Sequence, residues 1–338
     1  MRSESTEFLV CPQCKRALHL LNSRGGPDIV SGVLQCAHCR QDYPIITGVP
    51  CLLPDPHPFP IGFLPPEDIL QEPPATLKEK RGRNNLGLVL YKYGKAEFIR
   101  AVRQTARLSP EARARRFQVS RTTVLNPTIK RLAYRHSRLS FIRNVMEPVM
   151  EQRFWPDKRC VAMVTTLQNL QPERLLDIAT GPGSLLCRAL PRLTATKAVG
   201  LEIFFEACRL VMAEAAYFGF GKRLQMVHGD ARLMPFADAT FDCVSGWTAL
   251  YHISRYEAAI REAARVLRKG GHFVGTVHTK YPSHCRDLLS RSEEEEMIRC
   301  AHLPLNIHEV CGVLRASGFV ISSKEAVGNC HLVVAKKK

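Results

Sequence analysis

The sequence has no long apolar run and no leader-like beginning. No segment reaches eighteen consecutive apolar residues, which argues against a membrane-spanning helix. Residues 1–14, MRSESTEFLVCPQC, lack the basic-then-apolar pattern of a secretory signal and enter a cysteine motif at once. We therefore expect a cytoplasmic protein without an integral membrane segment.

A glycine turn at 180–183, Thr-Gly-Pro-Gly, lacks the marks of two familiar phosphate-binding loops. No Lys-Ser/Thr pair follows it, which argues against triphosphate binding. It also lacks the three glycines of the dinucleotide fingerprint, because Ala179 stands where the first glycine belongs. The turn alone leaves its ligand open.

The thirteen cysteines do not suggest a disulfide framework, because their number is odd and most lie singly in apolar segments. We expect these isolated thiols to be small buried hydrophobes of a reduced compartment. Four examples are Cys187, Cys208, Cys243 and Cys311.

The positive charge is concentrated in one quarter of the chain. The formal net charge is +17, and residues 78–159 contain 21 Lys and Arg against 6 Asp and Glu, a net +15. Such a block favours a polyanion or an acidic partner more than an evenly spread excess would. A solvated arginine-rich face is the alternative.

The 338 residues suit one full-sized domain and something smaller, and they divide into four regions. These are a cysteine-bearing segment (1–54), a linker (55–76), a basic helical segment (77–170) and a C-terminal domain (171–338). Nine of residues 50–74 are proline, which excludes a helix there. The C-terminal domain alternates apolar strands with amphipathic helices, which predicts a doubly wound, Rossmann-like α/β fold.

The strands and helices of this domain can be assigned individually. We predict strands at 174–179, 197–203, 224–230, 241–247 and 271–278, and helices near 184–190, 205–218, 256–267 and 306–317. Two further strands, 319–327 and 329–337, are joined by a Gly328-Asn329 turn. The result is a seven-stranded sheet that ends in a hairpin.

Two Cys-x-x-Cys pairs form the one cysteine pattern in the sequence. Cys11 and Cys14 are separated from Cys36 and Cys39 by 21 residues, close to the spacing of four-cysteine zinc sites. We predict a structural Zn²⁺, since four thiolates leave no open coordination position. A redox pair and a ribbon that has lost its metal are the alternatives, and we expect Cys51 to lie outside the site.

The segment after the second pair, DYPIITGVPCLLP, adds a resemblance. Together with CPQC and CAHC it resembles the zinc-ribbon family that includes the small activator subunit of RNA and translation-factor methyltransferases. The resemblance covers about residues 8–54.

Acidic residues end the strands on either side of the glycine turn. Glu202 ends the second strand, about nineteen residues after the turn. A carboxylate at this position can accept hydrogen bonds from both hydroxyls of a ribose. Asp230 ends the third strand within GDARLMPF, a position suited to the edge of an adenine. The motifs FADATFDCVSGW and KGG follow in order.

Taken in this order, the motifs resemble class I S-adenosylmethionine-dependent methyltransferases. The resemblance covers about residues 172–280. It implies that S-adenosylmethionine binds here, with Glu202 on its ribose. The other residues that it assigns to the cofactor are Asp177, Ala179, Gly181 and Gly183 around the methionyl part, Asp230 and Ala231 at the adenine, and Trp247 after the fourth strand.

Methyl transfer from a sulfonium is largely a matter of positioning, with a base needed only where the acceptor must lose a proton. Candidate bases are Tyr251, His252 and His278, each of which has a packing role as its alternative. The motifs of exocyclic amino methylation and of cytosine C5 methylation are absent.

Two acceptor classes remain open. We favour RNA (rRNA or tRNA), bound through the basic segment 78–159, because a zinc ribbon and a basic block adjoin the domain. The alternative is a small or lipid-like molecule such as a quinone, phenol or natural-product intermediate, with the helices before Asp177 as a lid. A cofactor-binding scaffold without enzymatic activity is the third hypothesis.

Overall fold

The computed structural model describes residues 1–54, 158–279 and 304–338, except for the single positions 182, 204, 218 and 254. The linker expected at 55–76 and most of the basic segment lie outside these residues. Within the described part of the chain, no helix is long and apolar enough to cross a membrane.

Residues 1–54, here called the N-terminal domain, form a four-stranded antiparallel sheet. Its strands are β1 (His19–Arg24), β2 (Ser31–Cys36), β3 (Gln41–Ile46) and β4 (Val49–Pro50), in that order across the sheet. Alternate residues of β3 face inward, so that Tyr43 and Ile45 are buried while their neighbours are exposed. Four free cysteines lie at one end of this small sheet.

The described residues beyond 157 build a larger α/β unit. Its elements are α1 (Lys158–Leu170), β5 (Arg174–Ile178), α2 (Ser184–Ala189), β6 (Lys197–Glu202), α3 (Phe205–Tyr217), β7 (Leu224–His228), β8 (Phe241–Gly246), α4 (Tyr256–Val266), β9 (Leu267–His278), α5 (Ile307–Ala316), β10 (Phe319–Val327) and β11 (Cys330–Lys337). The strand order is β10-β11-β9-β8-β5-β6-β7, which confirms the seven-stranded, doubly wound fold.

The sheet is mixed, and its last two strands form the expected hairpin. Strands β5 to β9 pair in parallel, whereas β11 runs antiparallel to both β9 and β10. Gly328 makes the hairpin turn with φ of 65°, a conformation that glycine adopts without steric cost. In the described residues, β10 is thus followed directly by β11, with no helix between them.

Neighbouring residues of each strand belong to different faces of the sheet, so the two faces have separate hydrophobic cores. Helices α1, α2 and α3 cover one face, where Leu175 and Met226 point. Helices α4 and α5 cover the other together with the N-terminal domain, where Leu176 and Val227 point. Helix α1 thus packs in the same core as β5, the strand that follows it.

The N-terminal domain is joined to the edge strand β7 by backbone pairing. The Leu52 N–H donates to the His228 carbonyl oxygen at 2.7 Å, and Cys51 forms a parallel bridge with the same residue. On the sheet face, Leu9 forms a bridge with Phe236, and both side chains are buried in one core. The two domains therefore share their hydrophobic interior.

Because of this shared core, we expect Leu9→Ala to destabilise both domains together. Removing this buried side chain should lower the free energy of unfolding by about 2–5 kcal/mol. The measurement is urea denaturation followed by circular dichroism and tryptophan fluorescence. Leu21→Ala, at a side chain 39% exposed in β1, is the matched control and should change little. Two separate transitions in the wild-type protein would contradict a shared core.

Candidate functional site

The glycine turn lies at the carboxyl end of β5 and has a backbone that side chains rarely adopt. Ala179, Gly181 and Gly183 all have positive φ, at 48°, 54° and 79°. A Cβ on Gly183 would come within 2.8 Å of Val211 on α3, so close packing also requires glycine there. The turn holds the start of α2 against α3 and leaves open space beside Gly181, where a Cβ would meet nothing nearer than 4.0 Å.

Two carboxylates meet this turn. Glu202, at the end of β6, accepts a hydrogen bond from the Gly181 N–H at 2.6 Å. Asp177 is buried below the turn and accepts one from the Ser245 hydroxyl at 2.6 Å. Burial raises the pKa of Asp177 to about 7. Open space beside Gly181, with two carboxylates at the turn, suits a ligand that carries positive charge.

Asp230 follows β7 at the same edge and is held by an arginine two residues later. The Arg232 guanidinium donates to both Asp230 carboxylate oxygens at 2.6–3.0 Å, and the Arg232 backbone N–H also donates to Asp230. Both side chains of this ion pair are 4% exposed. Burial and bidentate geometry fix the carboxylate beside Ala231, which is also buried. Arg232 was not identified from the sequence.

The three candidate bases come together beyond β8 and β9. Tyr251 and His252 lie in a short 3-10 helix, Leu250–His252, with their rings 4.0 Å apart. The Tyr251 ring is also 4.7 Å from His278, the last residue of β9. Trp247 directly follows β8 at the same edge and is half-buried. The rings of Tyr251, His252 and His278 form one wall at the carboxyl edge of the sheet, where the glycine turn also lies.

Arg159, from the first turn of α1, connects to this wall and was not identified from the sequence. Its guanidinium lies 5.9 Å from the Trp247 ring centroid. One of its nitrogens is 3.2 Å from His278 Nε2 and donates to the Asn329 side-chain oxygen at 2.7 Å. Arg159 and His278 are 119 residues apart, so no local pattern could have paired them.

The four cysteines are arranged as a metal site would require. Their sulfur atoms all lie within 4.8 Å of one another, and none is in a disulfide. A tetrahedral ion with bonds of about 2.3 Å would hold its sulfurs about 3.8 Å apart. The Cys39 backbone N–H points at the Cys36 sulfur at 3.4 Å, a bond typical of metal-binding knuckles. The cluster therefore fits Zn²⁺, and Cys51 lies outside it, as expected.

Two family models match the chain in its two domains. Residues 176–275 match the methyltransferase domain family Methyltransf_11, and residues 3–48 match the Trm112p-like protein family. The matched residues contain the glycine turn, the acids at the ends of β6 and β7, and the four cysteines. The chain thus has a class I S-adenosylmethionine-dependent methyltransferase domain behind a Trm112p-like domain.

Curated relatives resemble the methyltransferase domain. The ubiquinone/menaquinone biosynthesis C-methyltransferase UbiE of Dinoroseobacter shibae is 32% identical over 131 residues, which is 39% of this chain and 51% of the relative. The demethylmenaquinone methyltransferase of Thermus thermophilus is 33% identical over 103 residues, 30% of this chain and 46% of the relative. The chain spans about half the length of these relatives.

Two solved structures are similar to part of this chain. A putative methyltransferase from Bacillus halodurans is 24% identical, with a TM-score of 0.41, covering 48% of this chain and 71% of its own. A putative O-methyltransferase from Nostoc punctiforme is 15% identical, with a TM-score of 0.47 and 59% coverage of each chain.

We expect the purified protein to hold one zinc ion per chain through the four cysteines. Cys14→Ser should abolish stoichiometric zinc and lower the melting temperature, because a domain this small depends on its metal. The measurements are inductively coupled plasma mass spectrometry and thermal denaturation. Cys51→Ser, in the same domain but outside the cluster, is the control. Full zinc content in the Cys14→Ser variant would contradict the assignment.

Proposed function

We propose that this chain is an S-adenosylmethionine-dependent methyltransferase whose acceptor is a small aromatic molecule of the quinol or phenol class. The observation that supports this acceptor class is the wall of rings at the carboxyl edge of the sheet, where the glycine turn also lies. The UbiE relatives are named for C-methylation in ubiquinone and menaquinone biosynthesis, which is the same class. Since the chain spans only part of those relatives, their acceptor is carried over as a proposal.

The cofactor site is built from the turn and the strand ends that flank it. Gly181 and Gly183 shape the cradle for the methionyl part, with Ala179 in a glycine-like conformation and Asp177 beneath it. Glu202 is placed to accept hydrogen bonds from the ribose, and Asp230 with Ala231 borders the adenine. Arg232 holds the Asp230 carboxylate in place through hydrogen bonds to both of its oxygens, which makes it a positioning residue.

When bound, S-adenosylmethionine supplies a methyl group on a positively charged sulfonium. Because this charge activates the methyl group, its in-line displacement needs little further activation. The chain's own task is to orient the acceptor and, where its nucleophile carries a proton, to remove that proton. Trp247 and Tyr251 offer aromatic faces to a planar acceptor. Apolar rings also exclude water from the reacting atoms.

His252 and Tyr251 are better placed as proton acceptors than His278. Burial first, and then the charges of Arg159 and His252, lower the pKa of His278 to about 3. Its Nε2 faces the Arg159 guanidinium, which can only donate. A ring nitrogen engaged in this way has no capacity for the acceptor's proton, so we assign the base to the Tyr251–His252 pair.

RNA remains a second candidate acceptor, because one feature of the fold favours it. The described chain stops at Pro54, two residues after Leu52 pairs with the end of β7, and resumes at Lys158, next to the contacts of Arg159 with the end of β9. Residues 52 and 159, which enclose the linker and most of the basic segment in the sequence, therefore both lie at the carboxyl edge of the sheet. A net +15 joined to this edge would favour a polyanion there.

The cofactor assignment predicts that Glu202→Ala weakens binding of S-adenosylhomocysteine about 10- to 100-fold, since hydrogen bonds to a charged group contribute about 1.5–3 kcal/mol. Isothermal titration calorimetry gives the dissociation constant, with a thermal melt to show that the variant folds. Glu173→Ala removes an exposed carboxylate before β5 and should leave binding unchanged. Equal affinities of the two variants would refute the role of Glu202.

The acceptor assignment predicts transfer of a radiolabelled methyl group from S-adenosylmethionine to a reduced short-chain benzoquinone bearing an unsubstituted ring carbon. Total cellular RNA, assayed in parallel at low and high salt, should incorporate little label. Trp247→Ala should raise KM for the quinol, since an aromatic face is lost. Salt-sensitive incorporation into RNA, with none into the quinol, would overturn this acceptor class in favour of RNA.

A further inference from the structure

His278 combines deep burial with an unusual set of contacts. The residue is 3% exposed at the end of β9, and its ring lies against Tyr251. Nε2 is 3.2 Å from an Arg159 nitrogen. Nδ1 is fully buried and has no hydrogen-bond partner among the described residues. A buried ring nitrogen without a partner requires an explanation, and a bound ligand is one.

The Arg159 contact decides where the proton of His278 lies. A guanidinium has only donors, so Nε2 must accept the hydrogen bond and cannot carry a proton. A neutral imidazole then carries its single proton on Nδ1. The buried, unpartnered nitrogen is therefore an N–H donor. A second proton on Nε2 would point directly at a cation and would break the contact.

Arg159 is itself fixed from three sides. It donates to the Asn329 side chain in the turn between β10 and β11, and its guanidinium lies over Trp247. A Cβ on Gly328 would be 4.0 Å from the Arg159 Cδ, so the hairpin turn lies alongside the arginine's stem. Helix α1, Trp247 and the hairpin thereby hold the guanidinium at Nε2 of His278.

We propose that Arg159 is a positioning residue that holds His278 as the neutral Nδ1–H tautomer, and that this N–H donates to the oxygen of the methyl acceptor. The second half rests on the proposed function, since it requires an acceptor with a hydroxyl or carbonyl oxygen. Such a donor stabilises negative charge as the acceptor's oxygen is deprotonated, while another group takes the proton. His278 then acts as a hydrogen-bond donor rather than as a base.

The tautomer can be measured without any acceptor. In the uniformly ¹⁵N-labelled full chain, long-range ¹H–¹⁵N correlation should show His278 with a protonated Nδ1 and an unprotonated Nε2. His278→Gln identifies the signal. In Arg159→Met, which keeps length and loses the donor, the signal should shift towards the Nε2–H tautomer. Arg192→Met, at an exposed arginine near the end of α2, should leave it unchanged.

A wild-type protein with the proton on Nε2 would overturn the proposal, as would an unchanged tautomer in folded Arg159→Met. If Arg159→Met does not fold, Arg159→Lys serves, because a single ammonium cannot contact His278, Asn329 and Trp247 together. The Arg159→Lys variant should retain only part of the wild-type Nδ1–H signal. The spectrum of the wild-type protein tests the tautomer in any case.

Kinetics test the second half of the proposal. With the short-chain benzoquinol, Arg159→Met should lower kcat at least tenfold while the dissociation constant for S-adenosylhomocysteine stays within twofold of the wild type. An unchanged kcat would overturn the donor role. Absence of quinol methylation by the wild type would instead refute the proposed acceptor, and the NMR result would still decide the tautomer.

Discussion

The backbone pairing of Leu52 with the end of β7 is the contact on which the arrangement of the site depends. Strand β7 is the edge of the seven-stranded sheet, and an edge strand presents unpaired backbone groups. Leu52 covers that edge at His228, immediately before Gly229 and Asp230. A Cβ on Gly229 would come within 2.9 Å of Leu201 and 3.6 Å of the Leu52 oxygen. The N-terminal domain thus supports the strand end from which Asp230 projects.

Much of this arrangement could be predicted from the sequence, because it is encoded locally. Each of these features is determined by a few neighbouring residues: the apolar strands, the glycine turn and the acids at the strand ends. The structure has them in the predicted order. The cysteine pairs are local too. The docking of the N-terminal domain could not be predicted, because it depends on separate apolar positions such as Leu9 and Phe236 that carry no mutual signal. The domain boundaries, the linker at 55–76 and the roles of the site residues stay predictions.

The residues of the site that could not be predicted carry no local signal in the sequence. Ser245 and Arg232 bond to acids that the motifs identified, yet a serine in an apolar strand and an arginine in a turn are ordinary residues. In the sequence, Arg159 is one charge among many in the basic block. Its contacts with His278 and Asn329 arise only when α1, β9 and the hairpin are brought together by the fold. At least this one charge of the basic block is therefore engaged in contacts within the protein.

The neutral state of His278 is also compatible with the positive charge of the methyl donor. Further uncompensated positive charge in a site weakens the binding of a cationic sulfonium there, and the repulsion grows as water is excluded. Arg159 already brings one cation to this edge, where Asn329 and the Trp247 ring engage it. An imidazolium at His278 would add a second. Burial and the guanidinium together keep the ring uncharged, so that the acceptor meets a hydrogen-bond donor without a net charge of its own.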